Sequence, residues 1–141
     1  MNHWRQGLCG LFALIASMQV QAEQLPDCPD TPNCVSSQAS SAERRVDPLP
    51  GGDNADDARE RLIQVLDSLP RVTWRELSER LIRAEFTTRL LRFTDDVEFR
   101  IADDGLIHVR SASRMGYSDL GANRARVEDL RRRLAYHSQP E

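Results

Sequence analysis

The sequence predicts an α+β fold: a small antiparallel sheet with two helices packed on one face, and an N-terminal loop closed by a disulfide. Three observations carry this. Apolar residues recur at spacings of three and four near both ends of the region 54–137, the mark of two amphipathic helices. Between those ends they alternate with polar residues, the mark of half-buried strands. Two cysteines, Cys28 and Cys34, stand apart in a turn-rich stretch.

Residues 1–22 read as an export signal. Arg5 supplies a positive start, and Leu8 to Met18 is an apolar stretch of 11 residues, too short to cross a bilayer comfortably. Val20-Gln21-Ala22 then offers small residues at a cleavage site, so the mature chain is expected to begin at Glu23. This predicts a periplasmic or secreted protein, with membrane contact only if the segment is retained as an anchor. Cys28 and Cys34 are then the only cysteines left, and an even pair in an oxidising compartment predicts a disulfide. Pro29 to Asn33 can turn the chain back on itself, and closing so short a ring is worth roughly 2 kcal/mol in chain entropy. Zinc is the rival, but two thiols without a nearby histidine cannot complete a tetrahedral set. Residues 36–53 are rich in Ser, Gln, Ala, Pro and Gly, with only Val46 and Leu49 to bury. The stretch 23–53 therefore reads as a disulfide loop and flexible linker.

The first helix is predicted from about Asn54 to Leu69. Asp53 or Asn54 can cap it, Asp56 and Asp57 suit its positive end, and Pro70 stops it. Its apolar face is Ala58, Leu62, Val65, Leu66 and Leu69. Strand character follows from Val72 and Trp74. Next, Ile82, Ala84, Phe86, Thr88 and Leu90 face one way, while Arg83, Glu85, Thr87 and Arg89 face the other. Glu76 to Arg80 fits either a strand end or a helical turn. Trp74 and Phe86 are expected in the core.

Parity settles the next hairpin. A three-residue loop, Asp103-Asp104-Gly105, pairs Ile101 with Ile107 and Phe99 with Val109, and puts these four and Val97 on one face. A two-residue loop would split them. Gly105 then takes the left-handed position, and His108 and Arg110 turn to the opposite face. The second helix is predicted from near Asp119 or Leu120 to Tyr136. Its stripe is Leu120, Val127, Leu130 and Leu134, its cap is Asp119, and Arg131, Arg132 and Arg133 lie near its negative end.

Composition excludes several chemistries. All 19 basic residues are arginine, which removes Schiff-base lysines, the P-loop lysine and Ser-x-x-Lys acylation. A formal charge of -3 argues against nucleic acid as the partner, because that binding rests on neutralising phosphates. His108 is the only histidine in the predicted domain before its last residue, and the chain has no Gly-x-Ser-x-Gly elbow. The Asp95-Asp96 and Asp103-Asp104 pairs lack the spacing of a calcium loop and read as turn residues. No cofactor and no metal is expected.

The densest polar run is Arg110-Ser111-Ala112-Ser113-Arg114-Met115-Gly116-Tyr117-Ser118-Asp119, followed by Gly121, Asn123 and Arg124. Together with Asn33-Cys34-Val35-Ser36-Ser37 and Phe93 to Phe99, this run resembles the domain of unknown function 1499 family, over about Cys28 to Leu134. The resemblance implies a small domain, often exported or membrane-associated, and brings no reaction with it. Read physically, the forks of Arg110 and Arg114 suit a carboxylate or phosphate. Asp95, Asp96 and Asp119 are available partners, Ser111, Ser113 and Tyr117 add hydroxyls, and the start of the second helix can offer free N–H groups. These residues apart from Asp95, with Asn123 and Arg124, are the candidate ligand-binding set. Two readings stay open for them: the arginines fasten the loop to the sheet, or they line a pocket for an anionic or polar ligand. The functional expectation is a non-catalytic envelope module that binds such a ligand or a protein partner. The alternative is a hydrolase-like enzyme using the Arg110–Asp119 run with Asp96 or His108. A binding pocket should be lined by Arg110, Arg114 and Tyr117. An enzyme should bring His108 to a serine or carboxylate, and a structural accessory should show only an exposed apolar patch.

Overall fold

The computed structural model describes residues 24–136. The apolar segment Leu8–Met18, the cleavage site after Ala22 and His137 lie outside the described residues. In chain order the elements are β1 (Cys34–Ser36), a short 3-10 helix (Ala42–Arg44), β2 (Leu49–Pro50), α1 (Ala55–Ser68), β3 (Val72–Ser78), β4 (Leu81–Thr87), β5 (Thr94–Ile101), β6 (Leu106–Ser113) and α2 (Ala122–Tyr136). They build one antiparallel sheet in the order β1-β6-β5-β4-β3, with β2 pairing the far end of β6. The fold is α+β as the periodicities predict.

Both helices pack on the same sheet face. Leu62, Val65 and Leu66 of α1 and Val127, Leu130 and Leu134 of α2 share one core with Ile82, Ala84, Val97, Phe99, Ile101, Ile107 and Val109. Asn54 is the α1 cap, its side-chain oxygen accepting from the N–H groups of Asp56 and Asp57. The hairpin takes the three-residue loop: Ile101 pairs with Ile107, Phe99 with Val109, and Gly105 has φ 85°. The ambiguous stretch after Val72 is strand to Ser78, with a register shift between Glu76 and Ser78 and a turn at Glu79-Arg80.

Four expectations are corrected. Leu90 is not on a buried strand face. β4 ends at Thr87, the N–H of Thr88 donates to the Phe93 carbonyl, and the turn between them leaves Leu90 exposed. Leu120 is not on the helical stripe. It sits two residues before α2 with φ 53° and is exposed, because the Asp119 carboxylate draws in the N–H groups of Gly121 and Asn123 and turns the chain there. Asn123 takes the buried position in the first turn instead. Trp74 and Phe86 are half-buried at the core's rim: Trp74 keeps its indole N–H at the edge to donate to Asp67, 2.7 Å away, and Phe86 lies under the Arg126 guanidinium at 5.1 Å.

The fourth correction concerns residues 36–53, which are no flexible linker. β1 and β2 cover the free edge of β6, and Ser37 fills the gap between them, its N–H donating to the Val109 carbonyl and its hydroxyl accepting from the Val109 N–H. Val46 and Leu49 enter the core. Gly51 and Gly52 both donate to the Gly105 carbonyl. Arg124 and Arg131 of α2 donate to the carbonyls of Arg45, Glu43, Pro48 and Asp47. Cys28 and Cys34 form the predicted disulfide, with Cα atoms 5.7 Å apart.

Candidate functional site

Strand alternation divides the polar run between the two faces of the sheet. Ser111 and Ser113 point with Val109 toward the helices, whereas Arg110 points with His108 to the open face. Asp95 and Asp96 part in the same way: Asp95 is buried with Val97, and Asp96 joins the open face.

On the helix side the polar groups form a closed network around Asn123, which is fully buried. Its amide N–H₂ is shared among the Asn33 carbonyl, the Ser113 hydroxyl and the Asp119 carboxylate at 2.7–3.0 Å. Its oxygen accepts from the Ser111 hydroxyl and from Arg126, both at 2.7 Å. Arg126 is also ion-paired with the buried Asp95 and donates to Ser111 at 3.0 Å. Asn33 closes the set by donating from its own side chain to the Gly116 carbonyl at 2.8 Å. Burial pushes the Asp119 carboxyl up, but the N–H groups of Asn123 and Gly121 outweigh it and hold the group below the usual carboxylate range. The start of α2, expected to offer free N–H groups, is therefore occupied by the chain's own carboxylate. Arg126 and Asn33 are absent from the set read from the sequence, and Asp95, expected only as a carboxylate partner for Arg110 or Arg114, pairs with Arg126 instead. Helical spacing from Asn123 to Arg126 and strand parity from Val97 to Asp95 are the signals that bear on this pair.

The open face is a lattice of long charged side chains. Arg114 grips Asp96 with two bonds of 2.8 and 2.9 Å and reaches Glu85 at 2.7 Å. The Arg114 fork is the main reason the Asp96 carboxyl lies below the usual range, against the opposing effect of burial. Arg83 approaches Asp96 at 3.4 Å, and Arg110 approaches Glu98 at 3.5 Å. The Nε groups of Arg83, Arg100 and Arg110 are enclosed without a hydrogen-bond partner among the described residues. Arg75 stands directly across from Arg83, and a cavity of about 190 Å3 opens there, lined by Thr73, Trp74, Arg75, Arg83 and Glu85.

The remaining candidates are dispersed. Tyr117 is 71% exposed and lines neither this cavity nor the cleft beside α2. That cleft, about 200 Å3, is bounded by Cys34, Glu43, Arg44, Asp119 and Arg124 among others. Its arginines are committed, Arg44 to the Thr31 carbonyl and Arg124 to Arg45 and Glu43. Of the residues expected to line a pocket, Arg110 approaches Glu98, Arg114 is held by Asp96, and Tyr117 stands exposed. His108 lies on the face opposite to Ser111 and Ser113. Its ring nitrogen is 3.3 Å from the hydroxyl of Ser37, which already accepts from Val109. Burial first, and then Arg100, pushes its imidazole below the ordinary value. Among the described residues no three His, Cys, Asp or Glu side chains gather as metal ligands would.

Fold and site define a one-sheet α+β domain, clamped by a buried polar network on one face and lined with arginines on the other. The family model described as protein of unknown function (DUF1499) matches residues 24–134. The chain belongs to this family, as the Arg110–Arg124 run implies. No curated protein matches it by sequence.

Proposed function

We propose that this chain is an exported envelope module that binds an anionic ligand, without catalysis, on the open face of its sheet. The observation that carries the reading is the direct cross-strand pairing of Arg75 with Arg83 beside the 190 Å3 cavity. Like charges placed directly opposite one another across a sheet destabilise it, and an anion held between them would relieve that repulsion. The Arg75 side chain makes no hydrogen bond or ion pair among the described residues, and the Arg83 side chain has only the 3.4 Å approach to Asp96. Two guanidinium forks with spare donors can hold one carboxylate or phosphate between them. Export is read from residues 1–22 and places the ligand in the envelope. The helix-side members of the polar run are spent on one another, which supports fastening as their role.

Inorganic phosphate is the probe that tests this, compared with chloride at equal ionic strength. Phosphate at about ten times its dissociation constant should stabilise the protein by about 1.4 kcal/mol. The double variant Arg75→Gln, Arg83→Gln should unfold at an equal or higher temperature without phosphate and lose the response to it. An equal phosphate response in parent and variant, or none in the parent, would overturn the proposal.

A further inference from the structure

We propose a second binding surface, independent of the arginine face: the end of the sheet where β4 turns into β5 and β6 leaves for α2 docks on an anionic lipid bilayer. The two loops leave the sheet side by side. Asp95 pairs with Ser113, and the N–H of Arg114 donates to the Thr94 carbonyl. Of the nine large apolar side chains exposed among the described residues, six lie on these two loops: Leu90, Leu91, Phe93, Met115, Tyr117 and Leu120. Single exposed apolar residues are ordinary on a protein surface, but this concentration at one end is not. Leu90 and Leu120, at 87% and 97% exposed, are nearly free of the protein they belong to. Leu120 is held outward by a left-handed backbone, fixed by the Asp119 bond to the next N–H.

Charge selects the occupant. The β4–β5 loop reads Arg89-Leu90-Leu91-Arg92-Phe93, and both arginines are exposed with no ion pair among the described residues. Arg114 at the same end is spent on Asp96 and Glu85, and Asp119 is turned into α2. Asp30 comes to this end on the disulfide loop, which Asn33 ties to Gly116. Arginines interleaved with leucine and phenylalanine, with a tyrosine alongside, have the composition of interfacial membrane contacts. There the apolar tips enter the acyl boundary and the cations stay among anionic headgroups. Neither cavity described above reaches Leu90, Leu91 or Leu120. A fluid bilayer needs no such complementary shape, whereas a protein partner does.

Co-sedimentation of the full chain with vesicles tests this. One set is phosphatidylethanolamine with phosphatidylglycerol, the other phosphatidylcholine alone. The parent should prefer the anionic set. The variant Leu90→Ser, Leu91→Ser, Leu120→Ser should bind it at least about tenfold more weakly, as lost apolar insertion requires. Arg89→Gln, Arg92→Gln should lose about fivefold per arginine on anionic vesicles and nothing on phosphatidylcholine. Leu77→Ser, at the opposite end of the sheet, should bind as the parent does. All these chains carry the same N-terminal apolar segment, so its own affinity cancels. A triple serine variant that binds like the parent, or a parent that binds neither vesicle, overturns the proposal. So does a parent that forms dimers through this end without binding vesicles. None of these outcomes depends on phosphate binding between Arg75 and Arg83.

Discussion

A Cβ built at Gly105 would lie 2.0 Å from the Gly52 carbonyl oxygen and 2.7 Å from its carbon. Two effects therefore meet at one residue. The φ of 85° resists any side chain, and the approach of the 51–52 backbone forbids one. Gly116 has the same φ, but a Cβ there would meet only the Ser118 carbonyl oxygen at 3.9 Å. The pair separates the two effects. Gly116→Ala should cost about 1 kcal/mol, the conformational part alone, whereas Gly105→Ala should cost clearly more. Urea midpoints of the two variants check this, and equal losses would remove the steric argument. The left-handed turn at Gly105 was legible in the sequence, because parity of Phe99, Ile101, Ile107 and Val109 admits one loop length. The contact with Gly52 was not, because no local pattern says which distant backbone arrives at a turn.

At the scale of the element, α2 is held by its polar first turns as well as by Val127, Leu130 and Leu134. The sequence singled out Asn123, Ser111, Ser113 and Asp119 by density. They do meet, as a fastening and not as a pocket. Density in sequence ignores the alternation of a strand, so it groups Arg110, Arg114 and Asp96 with residues on the other side of the sheet. Nothing local in the sequence marks Arg126, because helical arginines usually face water. Its side chain is 13% exposed and its partner Asp95 is 5% exposed, so removing either leaves a buried charge uncompensated. Arg126→Ala should cost about 3–5 kcal/mol, while Arg132→Ala, from an exposed pair with Asp129, should cost under about 1 kcal/mol. Replacing Arg126 and Asp95 together by apolar residues of similar volume should recover much of the loss. Chemical denaturation of the three variants reads the order directly, and an Arg126→Ala protein as stable as Arg132→Ala would show that the pair is not buried in solution.

For the whole molecule the question is where the folding unit begins. Composition draws the line near Asn54, because a stretch rich in Ser, Pro and Gly with two apolar residues looks like a tether. The structure makes those two residues count: Leu49 is fully buried, Val46 nearly so, and Val35 joins them on the same core. Burying each is worth about 1.5–3 kcal/mol, so three of them approach the 5–15 kcal/mol that hold a typical domain together. The polar remainder contributes as well, since the carbonyls of 43–48 satisfy Arg124 and Arg131 and the backbones of Cys34–Ser36 and Leu49–Pro50 pair with β6. A chain beginning at Asn54 would leave the β6 edge open along Leu106 to Ala112, an unpaired edge of the kind that recruits other chains. It should melt without a cooperative transition and associate in solution, whereas the chain from Gln24 to Tyr136 should melt cooperatively as a monomer in the absence of lipid. Circular dichroism melts and sedimentation of the two chains decide this. A cooperative, monomeric 54–136 would return residues 24–53 to the role of an appendage.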